Sequence, residues 1–245
     1  MTSLPAAFSK WFKQKGWQLR DYQQTMLTEK DQHDCTLLIA PTGAGKTLSG
    51  FLPSLIELAE TYGWFLARQF ENPANPAYHR NTTGPEILSD FAGKPLDYWV
   101  SGWGTGGTLT GAGEIIKAAR PETKIIATEP AAASMLAGND WAPHKIQGWT
   151  PDFIPDVLNR NVYDELYSVT DDEAKTWAHR LASEEGIFVG LSCGGTLATA
   201  MKVAETAKPG STILAMLPDT GERYLSTYLF EGMNEGSDDD WLAGQ

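Results

Sequence analysis

The sequence predicts an α/β protein: a parallel sheet with helices on both faces, preceded by a P-loop strand–loop–helix fragment. Short β-rich runs alternate downstream with segments of helical period, the pattern of strands joined by crossover helices. With 42% apolar, 20% charged and 11% aromatic residues, the 245-residue chain can bury a real core and is too apolar to be disordered throughout. Two glycine-rich loops, Ala40 to Thr47 and Ser101 to Thr108, each stand between an apolar run and a helical segment.

In chain order, Leu37 to Ala40 reads as a short strand, Pro41 to Gly45 as a loop and Lys46 to about Glu60 as a helix. Asp97 to Ser101, Lys124 to Thr128, Ile187 to Leu191 and Thr212 to Leu217 read as further strands. Thr108 to Ala119, Asp171 to Glu185 and Gly194 to Ala207 read as helices, with Asp171 as the N-cap of the second. The end, from Gly236 to Asp240, is acidic and reads as a frayed tail. The expected division is residues 1–60, 61–235 and 236–245. Residues 1–60 carry six basic and six acidic side chains, so the net charge of −12 resides wholly downstream of Glu60.

That charge disfavours a general grip on nucleic acid. The longest apolar runs fall short of the ~20 residues that span a bilayer, and Met1 to Lys10 lacks the apolar stretch of a signal peptide. A soluble, cytoplasmic protein without a membrane partner is expected. Cys35 and Cys193 stand far apart, with no sulfur or clustered histidine beside them, so neither a disulfide nor a zinc site is expected and both read as inert. The tryptophans read as core or interface residues.

In the first loop, small residues would let backbone N–H groups close around phosphate oxygens, Lys46 would add charge and Thr47 a hydroxyl for magnesium. With Phe8, Trp11-Phe12, Gly16-Trp17 and Arg20-x-Tyr22-Gln23 upstream, residues 4 to 60 resemble a superfamily 2 DEAD/DEAH-type, DNA-ligase-associated helicase. The resemblance implies ATP and magnesium at Gln23, Thr42, Gly43, Ala44, Gly45, Lys46 and Thr47. The metal-binding carboxylate and basic finger of phosphoryl transfer do not follow Glu60. Weak nucleotide binding and a loop without function both stay open.

In the second loop, four glycines in six positions permit close backbone approach, two threonines supply hydroxyls, and a helix start follows. A phosphate cup and a plain glycine-rich turn both fit this segment alone. Further runs stand in order around it: Gln69-Phe70-Glu71-Asn72-Pro73-Ala74-Asn75-Pro76, Thr128-Glu129-Pro130, His144-Lys145-Ile146-Gln147-Gly148, Gly190-Leu191-Ser192-Cys193-Gly194-Gly195 and Leu217-Pro218-Asp219-Thr220-Gly221-Glu222-Arg223-Tyr224. Together, from about residue 60 to 232, they resemble cysteine synthase, a fold-type-II pyridoxal phosphate enzyme, and so the large domain of that fold.

The resemblance implies that Gly104, Thr105, Gly106, Gly107 and Thr108 hold the cofactor phosphate, that Ser192 meets its pyridine nitrogen, and that Gln69 helps hold the amino-acid carboxylate. Gln147 to Ile154 would border the cleft. Trp149, Thr150, Pro151 and Asp152 stand where the family has a small Gly/Ala-rich run, Cys193 where it has serine, and Trp103 is bulkier than usual. The family's Schiff-base lysine lies in a segment Asn-Pro-x-x-Ser-x-Lys-Asp-Arg, and the 245 residues contain no such segment and no Thr-Ser-Gly-Asn-Thr loop. The expected protein is therefore a truncated or chimeric cysteine-synthase-like chain. Its parental reaction exchanges acetate of O-acetylserine for sulfide, and turnover is expected to be impaired. A homodimer is implied. An ATP-binding helicase-like fragment and a non-catalytic partner of a pyridoxal phosphate enzyme are the alternatives.

Overall fold

The structure, a computed structural model, describes residues 68–232. The P-loop fragment with Gln23 and Thr42 to Thr47, Cys35 and the acidic tail lie outside them. Two short helices come first, α1 (Ala74–Asn81) and α2 (Thr83–Asp90). Then follow β1 (Tyr98–Gly102), α3 (Gly107–Ala119) and β2 (Lys124–Pro130). After a long irregular stretch come β3 (Glu165–Val169), α4 (Asp171–Glu185), α5 (Leu191–Thr206) and β4 (Ile213–Ala215).

Among the described residues, four strands form one sheet in the order β3-β2-β1-β4, with every pairing parallel. Neighbouring residues of β1 and β2 point to opposite faces, and each face is covered by a helix. Trp99 and Ile125 join Leu109, Ala112 and Ile116 of α3 in one cluster. Val100 and Ile126 pack against Ala200 and Val203 of α5 in another. This is why apolar residues stand at successive positions, Trp99-Val100 in β1 and Ile125 to Ala127 in β2, and it bears out the expected layering.

Helix α4 lies against α5 at very close range. A Cβ on Gly194 would sit 1.9 Å from the Ala174 carbonyl oxygen and 2.8 Å from the Ala178 Cβ, so a side chain at position 194 would force the helices apart.

Several expectations need correction. Ile187 to Leu191 is not a strand. Gly186 ends α4 in the left-handed region, Ile187 and Phe188 are exposed, only Val189 forms an isolated bridge to Thr220, and Leu191 already begins α5. The strand taking that place in the sheet is β3, whose acidic Glu165 and half-buried residues mark a sheet edge, with Lys124 paired to Glu165 at 2.6 Å. The N-cap of α4 is Thr170, not Asp171. Thr170 Oγ1 accepts the Glu173 N–H and the Glu173 carboxylate accepts the Thr170 N–H, a complete capping box. Asp171 instead accepts the backbone N–H of Lys145. The last strand is shorter than expected, and α1 and α2 were not anticipated.

Among the described residues, no helix is long and apolar enough to cross a membrane, and no cluster of His, Cys, Asp and Glu could hold a metal ion.

Candidate functional site

Because the strands are parallel, their carboxyl ends share one edge, where ligands of open α/β sheets bind. A cleft of about 350 Å³ lies there, within the size range of small-molecule sites. Gly104, Thr105, Thr108, Gly148, Trp149 and Ser192 line it. The second glycine-rich loop and Ser192, more than 80 residues apart in sequence, thus face one space.

At one end the loop between β1 and α3 forms a cup. Gly106 caps α3 with φ 84°, a conformation that favours glycine, and Gly107 opens the helix. A Cβ on Gly104 would lie 2.0 Å from the Gly148 carbonyl oxygen, so the loop passes close beneath the neighbouring chain. The start of α3, with its positive dipole end, and the Thr105 and Thr108 hydroxyls suit a phosphate, and no acidic side chain belongs to the cup.

Helix α1 holds this cup from behind. Asn75 Nδ2 donates to the Gln69 carbonyl at 2.8 Å and to Thr105 Oγ1 at 2.9 Å, and Thr105 Oγ1 also accepts the Gly107 N–H. One turn on, the His79 ring lies between Thr83 Oγ1 at 2.9 Å and Thr108 Oγ1 at 3.2 Å. Burial holds the His79 pKa below its ordinary value. Arg80 then binds Glu114 of α3 at 2.5 Å, and Glu114 also accepts from Asn159. Sequence reasoning did not single out Asn75 or His79 as site residues. Their i, i+4 spacing was the signal available, once the segment was known to be helical.

At the other end Ser192 is the second residue of α5, 5% exposed, and its hydroxyl has no partner among the described residues. Next to it, Asp219 accepts the Tyr224 O–H and the Cys193 thiol, with Sγ 3.2 Å from Oδ1. Burial pushes the Cys193 pKa up to about 11, so the thiol stays protonated and inert at neutral pH, as expected from sequence. Burial, then the bond to Asp219, also raises the Tyr224 pKa.

The third wall is the loop after Ile146. Gln147, Gly148 and Trp149 reach the cleft, whereas Asp152 is exposed and not among the lining residues. Thr150 adopts φ 32°, left-handed for a β-branched residue, and its buried hydroxyl meets no partner among the described residues. Three contacts fix it there: its N–H donates to the Trp103 carbonyl at 3.0 Å, and its own carbonyl accepts from Trp141 Nε1 at 3.0 Å and lies 3.3 Å from His144 Nε2. Trp103 is anchored in turn through its indole N–H to the fully buried Glu129, which also accepts the Leu136 and Ala137 N–H groups. Burial raises the Glu129 pKa, and these donors offset part of that rise.

Among the predicted residues, Gly104, Thr105, Thr108 and Ser192 meet at the cleft, with Gly106 and Gly107 buried behind. Gln69 is exposed and does not line the cleft; its backbone carbonyl is what the cup uses. Among the described residues, no lysine lines the cleft.

Comparison with known proteins gives this geometry a family. Residues 52–219 match the family model for "Pyridoxal-phosphate dependent enzyme". The chain is 60% identical over 187 residues to O-ureido-L-serine synthase of Streptomyces lavendulae, covering 76% of this chain and 58% of that protein. It is 43% identical over 189 residues to cysteine synthase of Staphylococcus aureus, covering 77% of this chain and 61% of that protein. A crystal structure of O-ureido-L-serine synthase superposes with a TM-score of 0.74 at 56% identity, covering 85% of this chain and 65% of that one. The chain therefore spans about three fifths of the length of these curated relatives. The matched family begins at residue 52, within the stretch that resembles a helicase, and nothing in these relatives supports a P-loop or ATP there. By family match, identity and superposition alike, the chain belongs to the pyridoxal-phosphate dependent enzymes, among the relatives of cysteine synthase and O-ureido-L-serine synthase.

Proposed function

We propose that this chain carries the cofactor-holding portion of an enzyme that replaces the β-substituent of an O-activated serine, O-acetylserine being the parental substrate. The observation that carries the reading is the pairing of a phosphate cup at Gly104 to Thr108 with an unpartnered Ser192 hydroxyl across one cleft. Cysteine and O-ureido-L-serine both carry a heteroatom on the β-carbon of an alanine skeleton, so the names of the relatives support one reaction class.

Bound in the cleft, pyridoxal phosphate would draw electrons from the substrate's α-carbon, so that one β-substituent leaves and another nucleophile adds. The N–H groups at the start of α3 and the hydroxyls of Thr105 and Thr108 would hold its phosphate. Asn75 and His79 keep those hydroxyls in place. Ser192 would meet the ring nitrogen with a neutral hydroxyl. Such a partner leaves that nitrogen unprotonated and favours elimination and replacement over deeper electron withdrawal. The neighbouring carboxylate, Asp219, is already engaged by Tyr224 and Cys193. An amino acid is the proposed substrate class and a homodimer the proposed assembly; Gln69, exposed and outside the cleft lining, is not assigned the carboxylate.

The family's lysine-bearing segment is not among the 245 residues, and no lysine lines the cleft among the described ones. The chain by itself, truncated or chimeric, should bind the cofactor without turning it over. Purified chain titrated with pyridoxal phosphate should show saturable binding, and added O-acetylserine and sulfide should give cysteine no faster than the protein-free control. Absence of binding overturns the site. Turnover well above the control overturns the impairment.

A further inference from the structure

The Trp149 indole is wedged between two backbones that come close only because both positions are glycine. A Cβ on Gly102, the last residue of β1, would lie 2.1 Å from Trp149 Cε2 and Cζ2. A Cβ on Gly195, in the first turns of α5, would lie 2.9 Å from Cη2. Gly102 stands two residues before the cup, and Gly195 lies one helical turn beyond Ser192. The indole therefore spans the floor between the two ends of the cleft. It is 9% exposed, and it lines the cleft. Its N–H meets no acceptor among the described residues, so the hydrogen-bonding edge of the ring is not committed elsewhere. The strained Thr150, tied to Trp103, Trp141 and His144, fixes the backbone that presents the ring.

We propose that Trp149 is an aromatic binding residue for the cofactor: its indole forms the wall against which the pyridine ring rests between the phosphate cup and Ser192. The ligand class is a phosphorylated, hydroxylated pyridine. This rests on reading the cleft as a pyridoxal phosphate site and adds a contact that reading does not need. An indole offers a planar, polarisable face to an electron-poor ring, and such ring pairs contribute beyond the area they bury. A small Gly/Ala-rich run, which Trp149 to Asp152 replace, would supply no such face.

The test uses pyridoxine 5′-phosphate, the alcohol form, which binds without any covalent bond to a lysine. In ¹⁵N–¹H spectra of the full chain, the nine tryptophans give nine indole signals, and the one lost in Trp149→Phe is assigned to Trp149. Saturating pyridoxine 5′-phosphate should move that signal through the ring current of the bound pyridine. Inorganic phosphate, which fills only the cup, should leave it nearly in place. By calorimetry, Trp149→Phe should keep its affinity for pyridoxine 5′-phosphate within about threefold, and Trp149→Leu should lose about tenfold. Both variants should bind inorganic phosphate like the parent chain. A Trp149 signal unmoved at saturation overturns the proposal even where Trp149→Leu fails to fold, and so does undiminished affinity in a folded Trp149→Leu. If the parent chain binds inorganic phosphate but no pyridoxine 5′-phosphate, the cofactor reading falls along with this contact; if it binds both and Trp149 does not respond, only the contact falls.

Discussion

At the cup end of the cleft, position is set by directional polar contacts: Asn75 on Thr105, His79 on Thr108, and Arg80 on Glu114 binding the helix behind them. At the Ser192 end, position is set by contact between α4 and α5 so close that Gly194 admits no side chain. Each polar tether can be cut alone, with the loss confined to what it holds. A close helix contact has no such parts. The geometry of Ser192 is inseparable from the stability of the whole unit, while that of the cup can be tuned residue by residue.

The largest expected effect breaks the packed end. Gly194→Ala places a Cβ 1.9 Å from a backbone oxygen that cannot rotate away, at a cost of about 3 kcal/mol. Thermal denaturation followed by circular dichroism should show the midpoint falling by ~9 °C. An unchanged midpoint would mean that the helix contact is looser than described. A smaller and more local effect is expected at the cup. Asn75→Ala removes the donor that fixes Thr105, and by calorimetry inorganic phosphate should bind about fivefold more weakly, with the melting midpoint lowered far less than in Gly194→Ala. Equal loss of stability in both variants would erase the distinction between the two ends.

The smallest effect concerns His79. Burial lowers its folded-state pKa below the ordinary 6.5, so between those two values the unfolded chain binds more protons than the native one. The contribution of the neutral imidazole is therefore present above pH 6.5 and is lost as pH falls through that window. Melting curves of the parent chain and His79→Gln, taken from about pH 7.5 to about pH 5.5, should show the parent losing stability relative to the variant on acidification. A constant difference would show that His79 titrates alike in both states.

The contrast between the two ends also explains what could be read from the sequence. The cup was legible because its chemistry is local: glycines, threonines and a helix start stand consecutively from Gly104 to Thr108. Strands β1 and β2 were legible because burial on both faces puts apolar residues at successive positions, Trp99-Val100 and Ile125 to Ala127. Strand β3 was not, since an edge strand that opens on Glu165, directly after Asp164, has no apolar run to mark it. Ile187 to Leu191 misled for the converse reason: an apolar run that looks like a strand is a connection whose first two side chains are exposed. Asn75 and His79 stayed hidden because their partners lie about thirty residues away, a relation no local pattern records. Trp149 was visible only as an unusual residue, and the two glycines that admit it became meaningful in three dimensions.

The strand order has a consequence for how the molecule is made. Strand β1 lies inside the sheet, yet the partner on one of its sides, β4, is synthesised last among the strands, and the Thr212 N–H reaches the Asp97 carboxylate across 115 positions. During elongation one edge of β1 must wait, unpaired, until nearly all of the described chain has emerged. Sheet completion of this kind is non-local and slow, so the nascent polypeptide passes through a long interval in which an apolar strand is open to wrong pairing. Its yield in a cell thus depends on how well that interval is shielded, as well as on the stability of the finished fold.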